Sequence, residues 1–152
     1  MKILAASVVL ALAAAPASAV LITPVKVTAS NTFSFFGQYK PGNLIDGSGL
    51  AAGLHDGNFV NMWQTDLGVN QANLVVEFDQ EYALEDIAIW NYNFGNPAEF
   101  QSTILRGVKD FRLAASADGV NYTTIVEARL AMGTGQPLAA QTFDATGSTR
   151  AS

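Results

Sequence analysis

Apolar residues in this chain recur at every second position, in short runs joined by Gly, Asn, Asp and Ser, and no stretch repeats them at helical spacing over three turns. A period of two belongs to a strand with one buried face, because successive side chains leave a strand on opposite sides. In Leu74-Val75-Val76-Glu77-Phe78, the residues Leu74, Val76 and Phe78 share a face; in Leu84-Glu85-Asp86-Ile87-Ala88-Ile89-Trp90, which runs into Asn91-Tyr92-Asn93, Ile87 and Ile89 do. Residues 108–116 set Phe111, Leu113 and Ala115 against Asp110, Arg112 and Ala114, and Asp118-Gly119 supplies a tight turn before a strand at 122–126. Further strands are expected at 25–29, 62–66 and 141–144. With no alternating helices and no repeat of fixed period, the expected fold is all-β, an antiparallel β-sandwich or jelly roll.

At 152 residues, with 49% hydrophobic and only 14% charged, the chain is long and apolar enough for one cored domain and is not a disordered segment. Eight basic residues, scattered against thirteen acidic ones, give a net charge of −5 and no cluster able to neutralise a run of phosphates. Nucleic acid is therefore not expected as a partner, and insertion into an anionic membrane is disfavoured. Without cysteine there is no disulfide, no thiolate nucleophile and no thiolate-ligated metal.

The first 19 residues read as a leader. Met1-Lys2 is a positive n-region, residues 3–15 an apolar h-region, and Ala17-Ser18-Ala19 a small-residue cleavage site. The apolar run is shorter than the roughly 20 residues of a membrane span, and Pro16 stops it. The expected product is a domain of residues 20–152, secreted or held in the cell envelope, with no second apolar span.

The order of motifs along that domain is similar to the coagulation factor 5/8 type C, or discoidin, domain. It runs through Val27-Thr28-Ala29-Ser30, Asn43-Leu44-Ile45-Asp46-Gly47, Met62-Trp63, Leu74 to Phe78, Ile87 to Asn93, Arg106-Gly107-Val108-Lys109-Asp110-Phe111 and Ser116-Ala117-Asp118-Gly119. The resemblance covers nearly all of residues 20–152. It implies an eight-stranded jelly roll of the galactose-binding-like kind, mostly found as a non-catalytic module for glycans, lipid head groups or proteins. For an exported bacterial chain, the family-32 carbohydrate-binding modules are the closest analogue. One departure stands out: relatives close with a further strand after a motif similar to Gln141-Thr142-Phe143-Asp144, whereas this sequence ends at Arg150-Ala151-Ser152. The domain is accordingly expected to be truncated, lacking its last strand.

The resemblance also implies a structural calcium ion at residues 43–49, with Asp46 as side-chain ligand and Ser48 giving a hydroxyl or carbonyl oxygen. The alternative is an ordinary Asp-Gly turn in which Asp46 bonds its own backbone. Glycan binding needs an aromatic face together with amide, imidazole or guanidinium groups for vicinal hydroxyls. His55, Asn91, Tyr92, Asn93 and Arg106 are the candidates, with Asn93 and Arg106 close if the loop carrying Phe100 folds back.

Each candidate has a structural alternative. Trp63 and Trp90 suit a core, Arg106 can pair with Asp110, Asn91 and Asn93 can cap turns, and a lone histidine is a poor transition-metal site. Phe33, Phe35 and Phe36 form an aromatic segment that either closes one end of the barrel or meets a partner surface. No nucleophile elbow, phosphate loop or His-Glu-x-x-His pair occurs, so an enzyme is not expected. The expected function is a monomeric, non-catalytic glycan-binding module; the alternative is an adhesion module that binds protein or lipid.

Overall fold

The computed structural model describes residues 2–4, 20–95 and 101–146. The leader's apolar segment from residue 5 to the cleavage tripeptide, Phe100, and the terminal Arg150-Ala151-Ser152 lie outside the described residues.

Ten short strands carry the chain: β1 Lys2–Leu4, β2 Lys26–Ala29, β3 Leu50–Ala51, β4 Leu54–His55, β5 Leu74–Glu77, β6 Asp86–Ile89, β7 Asp110–Ser116, β8 Thr123–Arg129, β9 Leu138–Ala139 and β10 Gln141–Asp144. They form three antiparallel sheets, in the orders β2-β5-β1-β7-β8, β10-β6 and β3-β4-β9. Among the described residues, helix is confined to one α-turn, α1 Gln101–Ile104, and two 3-10 turns at Pro41–Leu44 and Phe59–Asn61. The fold is mostly β, as the alternation requires.

Alternation decides which faces are buried. Leu74 and Val76 of β5 are buried while Val75 and Glu77 are only half-buried, and Phe111 and Leu113 of β7 are buried between exposed Asp110 and Arg112. The largest core cluster joins Val76 and Phe78, Ile87 and Ile89, Phe111 and Leu113, and Val126. It therefore draws on β5, β7 and β8 of the large sheet and on β6 of a small one. Each of these side chains contributes about 1.5–3 kcal/mol by leaving water.

The β7–β8 hairpin follows the sequence closely. Asp118 accepts from the Val120 and Asn121 amides, both at 2.8 Å, and builds the turn that Asp118-Gly119 announced. The ladder then shifts register between Leu113 and Ala114, a bulge that alternation does not reveal.

One reading differs from the structure. Residues 62–66, expected as a strand, form an irregular segment after the Phe59–Asn61 turn, with Met62, Trp63 and Gln64 all buried. Three consecutive buried residues cannot all lie on one face of a strand, so the apolar content there reflects burial on several sides. Lys2–Leu4 stand as β1 in the large sheet, antiparallel to both β5 and β7.

Candidate functional site

The segment that follows β6 is held by its own amides. Asn91 Nδ2 donates to the carbonyls of Val108 and Ala131, at 2.9 and 2.8 Å, while its Oδ1 accepts from the amides of Tyr92 and Val108, at 2.8 and 2.9 Å. Asn93, fully buried at 0% exposure, donates to the Gln136 carbonyl at 2.6 Å and accepts from Thr134 and Gly135, both at 2.8 Å. All four of Asn91's contacts and all three of Asn93's are to main chain, so both amides act as internal clasps. Gly133 is required beside them: a Cβ there would collide with the Tyr92 carbonyl and the Asn93 backbone.

Between the two clasps sits Tyr92. Its ring packs in a second cluster with Tyr39 and Met62, flanked by Phe33, Phe59 and Phe94. The hydroxyl is buried, with no hydrogen-bond partner among the described residues. Burial pushes the phenol's pKa upward and Tyr39 beside it adds to this, while the nearby Arg106 opposes; neither neighbour meets hydrogen-bond geometry with the hydroxyl. A buried orphan of this kind costs about 1–3 kcal/mol, a penalty that a bound hydroxyl or carboxylate would relieve.

Arg106 reaches the same place from the other side. The α-turn Gln101–Ile104 closes with Arg106 N–H donating to the Thr103 carbonyl at 3.1 Å, and Gly107 N–H to Ile104 at 3.2 Å. Its guanidinium approaches Gln64, Nη1 to Oε1 at 3.4 Å. The expected pairing with Asp110 is not made; that carboxylate binds Arg129 Nε at 2.8 Å, which holds it below the usual carboxylate range.

Tyr92, Arg106 and Gln64 line a cleft of about 680 Å³, walled on one side by residues 63–72 and on the other by 105–110. Lys109 adds a second cation, while Asp66 is anchored by Asn31, whose Nδ2 donates to it at 3.1 Å and whose Oδ1 accepts its amide at 2.7 Å. Trp63 also borders the cleft but is itself buried, with its indole N–H on Thr32 Oγ1 at 3.0 Å; it belongs to a third cluster with Leu44 and Leu74. Trp90 is half-buried and bonds the Gly53 carbonyl at 3.2 Å.

The other candidates lie elsewhere. His55 is buried on β4, with Nδ1 against the Asp56 carbonyl at 2.8 Å, and does not line the cleft. Asp46 is exposed, and its Oδ1 accepts from the Ser48 amide at 2.8 Å, which is the Asx turn that an Asp-Gly pair favours. Among the described residues no three His, Asp or Glu side chains gather to hold a metal ion. Calcium takes six to eight oxygens, and Asp46, whose Oδ1 is engaged by its own turn, is the one carboxylate of this loop.

Thus the structure brings Tyr92 and Arg106 together at the cleft, ties Asn91 and Asn93 to main chain beside it, and leaves His55 away from it. Gln64 was missed. Its only sequence signal is an amide directly after Met62-Trp63, a polar residue at the end of an apolar run.

The aromatic segment divides as well. Phe33 packs against the Tyr39 cluster, whereas Phe35 is 48% and Phe36 85% exposed. Phe36 also adopts a φ of 49°, a left-handed conformation costly for a bulky side chain.

No protein-family model, curated protein or solved structure matches this chain.

Proposed function

We propose that the chain is a non-catalytic glycan-binding module with a discoidin-like jelly-roll sandwich, exported from a bacterial cell by its leader. One observation carries the reading: a buried Tyr92 hydroxyl without a partner stands close to the Arg106 guanidinium, in a cleft they both line. Arg106 presents planar donors to vicinal hydroxyls, Gln64 adds an amide, and Tyr92 supplies a group that a sugar oxygen satisfies. Asn91 and Asn93 fix both sides of Tyr92 from behind.

The order of motifs supports the family, and the core shared by the five-stranded sheet and β6 is consistent with two layers. A glycan-array screen of the exported protein tests the function. Selective binding that is lost in Arg106→Ala and unaffected by chelator is the expected result. A folded protein that binds no glycan, or binds equally well without Arg106, overturns it.

A second reading rests on Phe36. An exposed phenylalanine in a strained backbone is stabilised neither by burial nor by conformation, so its presence favours contact with another surface. In that reading the module adheres to a protein or a lipid surface through Phe35 and Phe36. Binding that survives deglycosylation and disappears in Phe35→Ser/Phe36→Ser would select it.

A further inference from the structure

The cleft between residues 63–72 and 105–110 holds the cations Arg106 and Lys109 and the carboxylates Asp66 and Asp110. Asp110 is balanced by Arg129, whose Nε stands 2.8 Å from it, and Asp66 is drawn to the Asn31 amide at 3.1 Å. Among the described residues neither Arg106 nor Lys109 has an ion-pair partner. The cleft therefore carries an excess of positive charge in a chain whose net charge is −5. A neutral donor faces the same space: the hydroxyl of Tyr92, a residue only 6% exposed, has no partner among the described residues. No ring face is offered for stacking, because the aromatic residues of the lining, Trp63 and Tyr92, are both buried. The exposed apolar groups are aliphatic, Leu67 on one wall and Leu105 on the other.

We propose that the ligand of this cleft is an acidic sugar, whose anionic group, a uronate carboxylate or a sulfate ester, is held by Arg106 and the Tyr92 hydroxyl with Lys109 beside them. The inference rests on the glycan-binding reading and names the class of sugar. A guanidinium, an ammonium and a phenol O–H all donate, and one oxyanion has lone pairs enough to accept from all three. A sugar hydroxyl can accept from them as well, but it leaves both charges unbalanced, and bonds to an ionised group are roughly twice as strong as neutral ones. With no exposed ring to stack on, a neutral sugar would have only hydroxyl contacts exchanged against water, each of small net effect. Gln64 is a positioning residue: by accepting from Arg106 Nη1 at 3.4 Å it sets the direction of the guanidinium fork. Leu67 and Leu105 are left to meet the C–H faces of the sugar rings.

The test titrates the full chain with a panel of hexuronate-containing oligosaccharides, each matched by its carboxyl-reduced neutral form and by that neutral form carrying a sulfate ester. At least one acidic member is expected to bind about tenfold or more tightly than its neutral match, and to weaken as salt is raised. Whether the uronate or the sulfate ester binds identifies the source of the charge. Arg106→Gln should abolish the preference, and Lys109→Gln, at an exposed position where folding is not at stake, should reduce it by about threefold. Equal binding of acidic and neutral forms that is lost in Arg106→Gln overturns the acidic-sugar inference and leaves the glycan-binding module standing. An acidic preference that survives both substitutions places the anion elsewhere and overturns it too. A folded chain that binds no member of the panel, acidic or neutral, overturns both.

Discussion

Asn91 and Val108 form a two-point clasp: the Asn91 side chain donates to the Val108 carbonyl and accepts from the Val108 amide, each at 2.9 Å. A side-chain amide here does what a neighbouring strand would do, and it ties the residue after β6 to the approach into β7. Tyr92 lies one residue beyond the clasp and Arg106 two residues before Val108, so a single side chain sets Tyr92 relative to Arg106.

Removing that amide exposes the cost of the contacts it makes. Asn91→Ala is expected to lower stability by roughly 3 kcal/mol, because several buried main-chain groups lose their partner at once. Urea denaturation gives the value, and a loss below about 1 kcal/mol would mean that water or a shifted loop replaces the amide.

Tyr92 should behave in the opposite way. Its hydroxyl has no hydrogen-bond partner among the described residues, so Tyr92→Phe is expected to leave stability unchanged or raise it by up to about 1 kcal/mol, while glycan affinity falls. Thermal unfolding and glycan titration on the same sample separate the two effects. A variant that loses stability would show that the hydroxyl is already satisfied.

Acid should loosen the β7–β8 turn. Bonds from the Asn121 and Val120 amides, the Asn121 side chain and Ser116 hold the Asp118 carboxyl far below its ordinary 3.8. The folded pKa lies under the unfolded one, so the stabilisation is complete above about pH 4 and is lost as pH falls toward the folded value. Asp110 and Asp144 are lowered in the same direction. Asp118→Asn should therefore reduce stability near pH 7 and narrow the difference between denaturation midpoints at about pH 7 and pH 3. An unchanged difference would assign the acid sensitivity to other carboxylates.

Phe36 offers a test of the second reading. Asparagine tolerates the left-handed conformation, and the ring's contact in the described structure is an edge-on one with Phe35, centroids 4.5 Å apart. Phe36→Asn is expected to keep or slightly raise the melting temperature. Reduced sedimentation with liposomes or reduced adhesion to deglycosylated surfaces would identify the ring as a contact residue.

Much of the fold is legible in the sequence because burial on one face imposes a period of two. Leu74, Val76, Ile87, Ile89, Phe111 and Leu113 were placed by that rule and all are buried. Strands of two residues, such as Leu54–His55, are too short to show a period, and the segment around Trp63 is buried on several sides, where alternation carries no information. The site was half legible. Asn, Tyr and Arg are the residue types a sugar site uses, but buried clasps use Asn as well, and only the partners of Asn91 and Asn93 tell the two apart. Tyr92 and Arg106 come from segments joined by a loop, and their meeting depends on the Asn91–Val108 contact across a separation of 17 residues.

The most direct measurement is a titration of the isotope-labelled protein with the best glycan from an array, followed through its amide and side-chain resonances. Saturable shifts confined to Gln64, Tyr92, Arg106 and Lys109 and their neighbours are expected, abolished in Arg106→Ala while the remaining spectrum is preserved. Shifts centred on Phe35 and Phe36, or on His55, with Arg106→Ala binding as the parent does, would contradict it.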